Sequence, residues 1–138
     1  MKKNASLALI EQAVMLLVLA IAAALCLKAF VWADTQSLHY SNRDRAITQL
    51  QSAAEVLKFH KGDLTAAAQT HGGSLGGGQW VVALDKDWNQ TAAPGDYRIC
   101  ATLLDCDTDY LGGATLTVLP ARGEPLAQLT VYWQEATP

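Results

Sequence analysis

Ser6-Leu7-Ala8-Leu9-Ile10-Glu11-Gln12-Ala13-Val14-Met15-Leu16-Leu17-Val18-Leu19-Ala20 opens an apolar helix that carries one carboxylate near its start. From Ala13 to Leu27 there is no polar side chain; Lys28 interrupts, and Ala29-Phe30-Val31-Trp32-Ala33 resumes. As one helix, Ala13 to Ala33 spans about 30 Å, one hydrocarbon core. Lys28 lies near the far end and can snorkel outward, and Trp32 suits the interface it would reach. A charged group costs about 2.5–3.5 kcal/mol at mid-bilayer and less near its edge. A simple anchor has no use for such a group, so Glu11 points to a positively charged partner on another chain in the membrane.

The chain has 138 residues and 51% hydrophobic composition, which fits one small domain plus a membrane element. Lys2, Lys3 and the initiator amine precede the span, so the N-terminus is expected inside and the remainder outside. The net charge of -3, with no basic patch interleaved with aromatics, argues against a nucleic-acid partner.

Three readings of the front end compete. Val31-Trp32-Ala33 before Asp34 fits a cleavable secretory signal, but the apolar region is long for one and contains Glu11. A plain uncleaved anchor explains length and orientation and leaves Glu11 without a role. In the third, Leu9-Ile10-Glu11 between a short basic leader and a long apolar helix resembles the N-terminus of type IV pilins and type II secretion pseudopilins. The resemblance covers roughly the first 55 residues. It implies that a prepilin peptidase cuts between Ser6 and Leu7, making Glu11 the fifth residue of the mature chain. It also implies that Glu11 pairs with the free N-terminal amine of an adjacent subunit, registering one against the next because misregister strands both charges. The implied partners are other pilin or pseudopilin subunits, the peptidase, a membrane assembly platform and membrane lipid. The family prefers Gly before the cut and Phe after it, where this chain has Ser6 and Leu7. The span lacks the helix-kinking proline of many major pilins, as is more typical of minor pilins and pseudopilins.

Between Asp34 and Lys61 there is no Pro or Gly. Tyr40, Ile47, Leu50, Ala54 and Leu57 recur at helical spacing, with Gln49, Gln51, Glu55 and Lys58 elsewhere around the helix. This predicts an amphipathic continuation, so that one helix from about Leu7 to about His60 would be about 80 Å long. A break between Asp34 and Ser41 is the alternative. Gly62 follows a cationic last turn as a C-cap. Asp63 is expected to N-cap a short helix from Leu64 to Thr70 ended by Gly72, and the glycine-rich run 72–78 to be a flexible connector. It is no phosphate loop, since neither Gly-Lys-Ser/Thr nor a helix follows. Strands are predicted over Gln79–Leu84, Tyr97–Leu104, Ala114–Leu119 and Ala127–Trp133 from their two-residue alternation, the last two joined as a hairpin through Pro120–Pro125. One apolar face per strand implies a sheet covered on one side, with the helix stripe as its cover. The expected fold is therefore α+β, pilin-like, a long N-terminal helix on a small antiparallel sheet. Its regions are a leader (1–6), a transmembrane and assembly half-helix (7–33), an extracytoplasmic half-helix (34–61), a short helix with the glycine connector (62–78), and the sheet (79–138).

Candidates for chemistry are few. Asp85-Lys86-Asp87-Trp88-Asn89 and Asp105-Cys106-Asp107-Thr108-Asp109 place oxygens at alternate positions, as calcium loops do. Gln90 and Tyr110 stand where such loops need Gly, and no Glu closes either. Asp105, Asp107 and Asp109 are kept as calcium candidates, because some pseudopilins bind calcium near their C-terminal strands; the alternative is solvated turns. Cys100 and Cys106 would face an exported compartment and form a candidate disulfide, though a straight strand would hold them about 20 Å apart. Cys26 reads as a small apolar residue of the span. His39, His60 and His71 share no ligand spacing. No Gly-x-Ser-x-Gly elbow is present, and an enzyme reading finds no residues to work with. The expectation is a structural subunit of a membrane-based filament, with no cofactor. The rival is a membrane-tethered extracytoplasmic binding module.

Overall fold

The computed structural model describes residues 2–92 and 94–135, and of Lys2 the backbone alone. Met1 with its initiator amine, and the last three positions of the expected sheet region, lie outside the described residues. The chain divides into two units, Met1–Tyr40 and Ser41–Pro138.

The described part of the first unit is helical throughout, as part of α1 (Lys2–Phe59). Helical structure continues through residues 34–41, so the alternative of a non-helical break there is not realised. The second unit holds the end of α1, then α2 (Leu64–His71) and five strands: β1 (Ser74–Gly76), β2 (Gln79–Leu84), β3 (Tyr97–Leu104), β4 (Leu111–Pro120) and β5 (Ala127–Gln134). The strands form an antiparallel meander in chain order.

Within this unit the helix covers one face of the sheet, giving the α+β class. Ala46, Leu50, Ala53, Ala54 and Leu57 are buried from the helix side. Their spacing is that of one helical stripe. It differs from the stripe expected from sequence: Tyr40 is exposed and lies in the first unit, and Ile47 sits at the stripe's margin. Two small alanines take the central contacts instead, because a helix lying close on a sheet has no room there for larger side chains. From the sheet come Trp80, Val82 and Leu84 of β2, Ile99 and Ala101 of β3, Ala114, Leu116 and Val118 of β4, and Trp133 of β5. Register aligns Trp80 with Ala101 and Ala101 with Leu116, so the largest side chain has the smallest as neighbour.

The glycine run is not a flexible connector. Gly76 pairs with Gln79, leaving Gly77 and Gly78 as a two-residue loop with φ of 59° and 75°. Positive φ at both central positions is the type I′ pattern, whose twist matches paired strands. This hairpin adds β1 as an edge strand.

Sequence signals at the helix ends hold with small shifts, α2 running to His71 where Thr70 is expected as its last residue. The Asp63 carboxylate accepts from the backbone N–H groups of Thr65 at 2.9 Å and Ala66 at 3.0 Å, as an N-cap should. At the end of α1, Gly62 N–H donates to the Leu57 carbonyl at 3.0 Å and Lys61 N–H to that of Lys58 at 3.1 Å. These are the two bonds of a Schellman motif. Lys61 (φ 50°) therefore holds the left-handed position expected for Gly62, which comes one residue later with φ 83°. Gly62 is required for another reason: a Cβ there would lie 2.5 Å from Cζ2 of the Trp133 indole.

Candidate functional site

The side chains singled out on the first unit lie on one helix. Ser6, Leu7 and Glu11 are exposed, so the expected processing and assembly positions are accessible. Apolar neighbours of Glu11 are exposed too: Ile10 by 58%, Val14 by 53% and Met15 by 62%. None of the most apolar window of α1 is buried within the protein, whereas a core helix of that length would be mostly covered. By length and composition the stretch can cross a membrane. Uncovered apolar surface on this scale calls for lipid or another protein against it.

Among the described residues Glu11 has no opposite charge within one turn of its own helix. One turn away in either direction stand Leu7, Ala8, Val14 and Met15. Lys28 is likewise exposed and has Ala24, Leu25, Val31 and Trp32 at those positions. Seventeen residues of helix hold the two charges about 25 Å apart, beyond any contact within one chain. Thr35 Oγ1 donates to the Val31 carbonyl at 2.9 Å, so that hydroxyl is satisfied within the helix.

The second unit does not assemble the candidate metal and sulfur sites. Among the described residues no three His, Cys, Asp or Glu side chains come together, so Asp105, Asp107 and Asp109 form no converging ligand set. The other acidic cluster is a self-capped turn. Asp85 Oδ1 accepts from the N–H groups of Asp87 at 2.8 Å and Asn89 at 2.9 Å. Trp88 leaves this turn at φ 67°, is buried, and stacks on Tyr97 with ring centroids 4.3 Å apart. Trp88 thus joins the core, while Lys86, Asp87 and Asn89 of the same turn stay exposed to solvent.

Cys100 and Cys106 are both free thiols, and the candidate disulfide is not formed. Cys100 pairs across the sheet with Val81 and Thr117, whereas Cys106 Sγ lies beside Gly113. Thr117 and Gly113 are about 13 Å apart along β4, well beyond the ~7 Å Cα separation a bridge tolerates. Burial pushes the Cys100 thiol pKa up, and the Arg98 guanidinium pulls it partly back. The histidines are dispersed. His39 stacks edge-on with Tyr40, and His60 shares a 2.9 Å hydrogen bond with Thr70 that ties the end of α1 to α2. His71 packs edge-on against Trp80, and burial holds its pKa below the usual 6.5.

One feature escaped the sequence. A cavity of about 250 Å³ opens beside the uncovered sheet face, lined by Val81, Ala83, Pro94, Gly95, Arg98 and Ala121. Three separate stretches build it and no motif announces it. The only hint is Arg98 on the outer parity of a strand otherwise fit for a core.

No family model, curated protein or solved structure matches the chain.

Proposed function

We propose that this chain is a structural subunit, of minor pilin or pseudopilin type, of a membrane-based type IV pilus or type II secretion-like filament. It inserts with its N-terminus on the cytoplasmic side, is cut between Ser6 and Leu7 by a prepilin peptidase, and joins other subunits through its apolar helix at an assembly platform. The sheet unit is presented outside the membrane and travels with the filament.

One observation carries this reading: Glu11 is the single carboxylate between Asn4 and Ala33 of α1, a stretch whose most apolar window has no cover among the described residues. Lipid alone would satisfy the apolar surface and leave the carboxylate stranded. A neighbouring subunit that supplies a positive charge satisfies both. The specificity of the contact follows, because a shift of one helical turn separates the charges by about 5 Å.

N-terminal sequencing of the mature chain tests the processing step. Leu7 as first residue is expected; Asp34 would mean secretion, and an intact leader a tether. Replacing Glu11 by Ala should leave folding and insertion intact and reduce incorporation into filaments. Unchanged incorporation would remove the register role.

A second reading, a membrane-tethered binding module, draws on the cavity that Arg98 lines together with the apolar Val81, Ala83, Pro94 and Ala121. It predicts that soluble ligands carrying a carboxylate protect the Arg98 side from chemical modification, and that the chains remain solitary.

A further inference from the structure

We propose that the free edge of β5 is a docking site for an extended segment of a second protein, which adds to the sheet as a sixth strand, antiparallel to β5. The segment is uncharged through its centre, apolar at alternate positions and basic at its N-terminal end. The sheet unit carries this edge whether the chain joins a filament or stays a tether. The meander ends in two edges of different kind. β1 has three residues, and a strand so short offers little to pair with. β5 has eight, Ala-Gln-Leu-Thr-Val-Tyr-Trp-Gln, with no proline and no charged side chain to turn a partner away. Among the described residues β4 is its only strand partner.

Register shows which backbone groups are left over. Glu135 N–H donates to the Tyr110 carbonyl at 3.0 Å, one step past the Leu111–Gln134 pair. Hydrogen-bonded and non-hydrogen-bonded pairs alternate along an antiparallel ladder, so Trp133, Val131 and Leu129 turn their N–H and C=O groups toward β4. Gln128, Thr130, Tyr132 and Gln134 turn theirs outward, each offering one donor and one acceptor to a further strand. The side chains alternate in step. Those of Gln128, Thr130, Tyr132 and Gln134 are exposed. Leu129 and Val131 pack against the core yet stay half-buried, because no strand among the described residues lies beyond them. A neighbour with apolar residues opposite Leu129, Val131 and Trp133 completes that cover.

Charge sets the direction and selects the occupant. Glu135 follows the strand and is tied through its N–H to Tyr110, at the end of the loop that carries Asp105, Asp107 and Asp109. Among the described residues lining the pocket that Glu135 shares, Lys61 alone is basic. In the antiparallel sense the incoming N-terminal end lies beside Glu135, so a lysine or arginine there meets an acid-rich rim. A second copy's β5 is a poorer occupant. In the register that uses all four outward residues of both copies, Gln128 faces Gln134 and Glu135 faces Ala127, which leaves the carboxylate without a cation. Backbone hydrogen bonds supply the affinity of such strand addition, and the alternate side chains its selectivity.

A probe peptide of two lysines followed by Thr-Val-Thr-Val-Thr-Val-Thr tests the edge on the full chain in detergent micelles. Set antiparallel, its second lysine comes opposite Glu135 and its valines opposite Trp133, Val131 and Leu129. Fluorescence anisotropy of the labelled peptide should show saturable, submillimolar binding. Amide hydrogen exchange should slow at Gln128, Thr130, Tyr132 and Gln134 when peptide is added, whereas Leu129, Val131 and Trp133 should be protected from the start. N-methylation of the probe's two central threonines, whose N–H groups face β5, should weaken binding by about tenfold or more. N-methylation of its central valine, whose N–H points away, should change affinity by less than about threefold. Thr130→Pro removes an outward N–H and spares the ladder to β4, so it should also weaken binding by about tenfold with tryptophan emission unchanged. Moving both lysines to the probe's other end should weaken binding by about threefold or more at low salt. No binding, equal losses from the two kinds of methylation, or equal binding with the lysines at either end overturns the proposal. So does slow exchange at Gln128, Thr130, Tyr132 and Gln134 without peptide in a chain that sediments as a dimer, which gives the edge to a second copy. None of these outcomes touches the filament reading, which N-terminal sequencing and the Glu11 variant decide.

Discussion

Replacing Gly62 by Ala tests how the end of α1 is joined to the last strand. Gly62 has φ 83°, and a Cβ there would lie 2.5 Å from Cζ2 of Trp133. Two costs follow. A left-handed conformation with a Cβ costs about 1–2 kcal/mol. Displacing a packed indole costs about 1–3 kcal/mol more, the usual range for overpacking. The sum is about 2–5 kcal/mol, a large share of the stability of a small domain. Gly77→Ala is the matched control: its φ is 59°, and nothing lies within 4 Å of a Cβ there. It should lose only the conformational part, about 1–2 kcal/mol. Urea denaturation of the full chain in detergent micelles, followed by tryptophan fluorescence, measures both. Trp133→Leu should make the Gly62→Ala loss smaller than it is beside the native indole, giving a non-additivity of about 1 kcal/mol or more in the double-mutant cycle. Equal losses at Gly62 and Gly77, with additive effects of Gly62→Ala and Trp133→Leu, would refute the placement of the indole against the helix end.

Trp80→Phe removes the 2.9 Å bond its indole N–H donates to the Gly72 carbonyl, and should cost about 1–3 kcal/mol in the same denaturation assay. His71 titrates below 6.5 in the folded state, so the unfolded chain binds its proton more readily; stability is full above pH 6.5 and falls as pH drops below it. His71→Gln should flatten that part of the stability–pH curve. Cys100 should react with thiol reagents near neutral pH more slowly than free cysteine does, because burial keeps it protonated; mass spectrometry of timed samples reads the rate.

Much of the fold was legible because its signals are local. The apolar run before Ala33, the Asp63 cap, the alternation in β2 and β3 and the turn before β5 each rest on neighbours in sequence. Misreadings came where a distant element decides. Gly76 to Gly78 look like a linker until β2 folds back to pair with β1. Tyr40 and Ile47 belong to the helical pattern, yet the sheet lies against Ala46 and Ala53. Trp88 reads as part of a polar turn until Tyr97 is there to stack on. Of the candidate site, Glu11 and Lys28 are visible as isolated charges, but the Arg98 cavity is not, since three stretches meet to form it.

Residue pattern was enough for the apolar helix, its two isolated charges, and the class of the elements after it apart from the edge strand β1. Periodicity and charge act over a few residues and need no knowledge of what lies opposite. Tertiary structure alone decided which helix face meets the sheet, that Cys100 and Cys106 stand too far apart to bond, and that Gly62 must leave room for Trp133. Those outcomes depend on close packing between segments far apart in the chain, where a single methyl group more or less changes the fit.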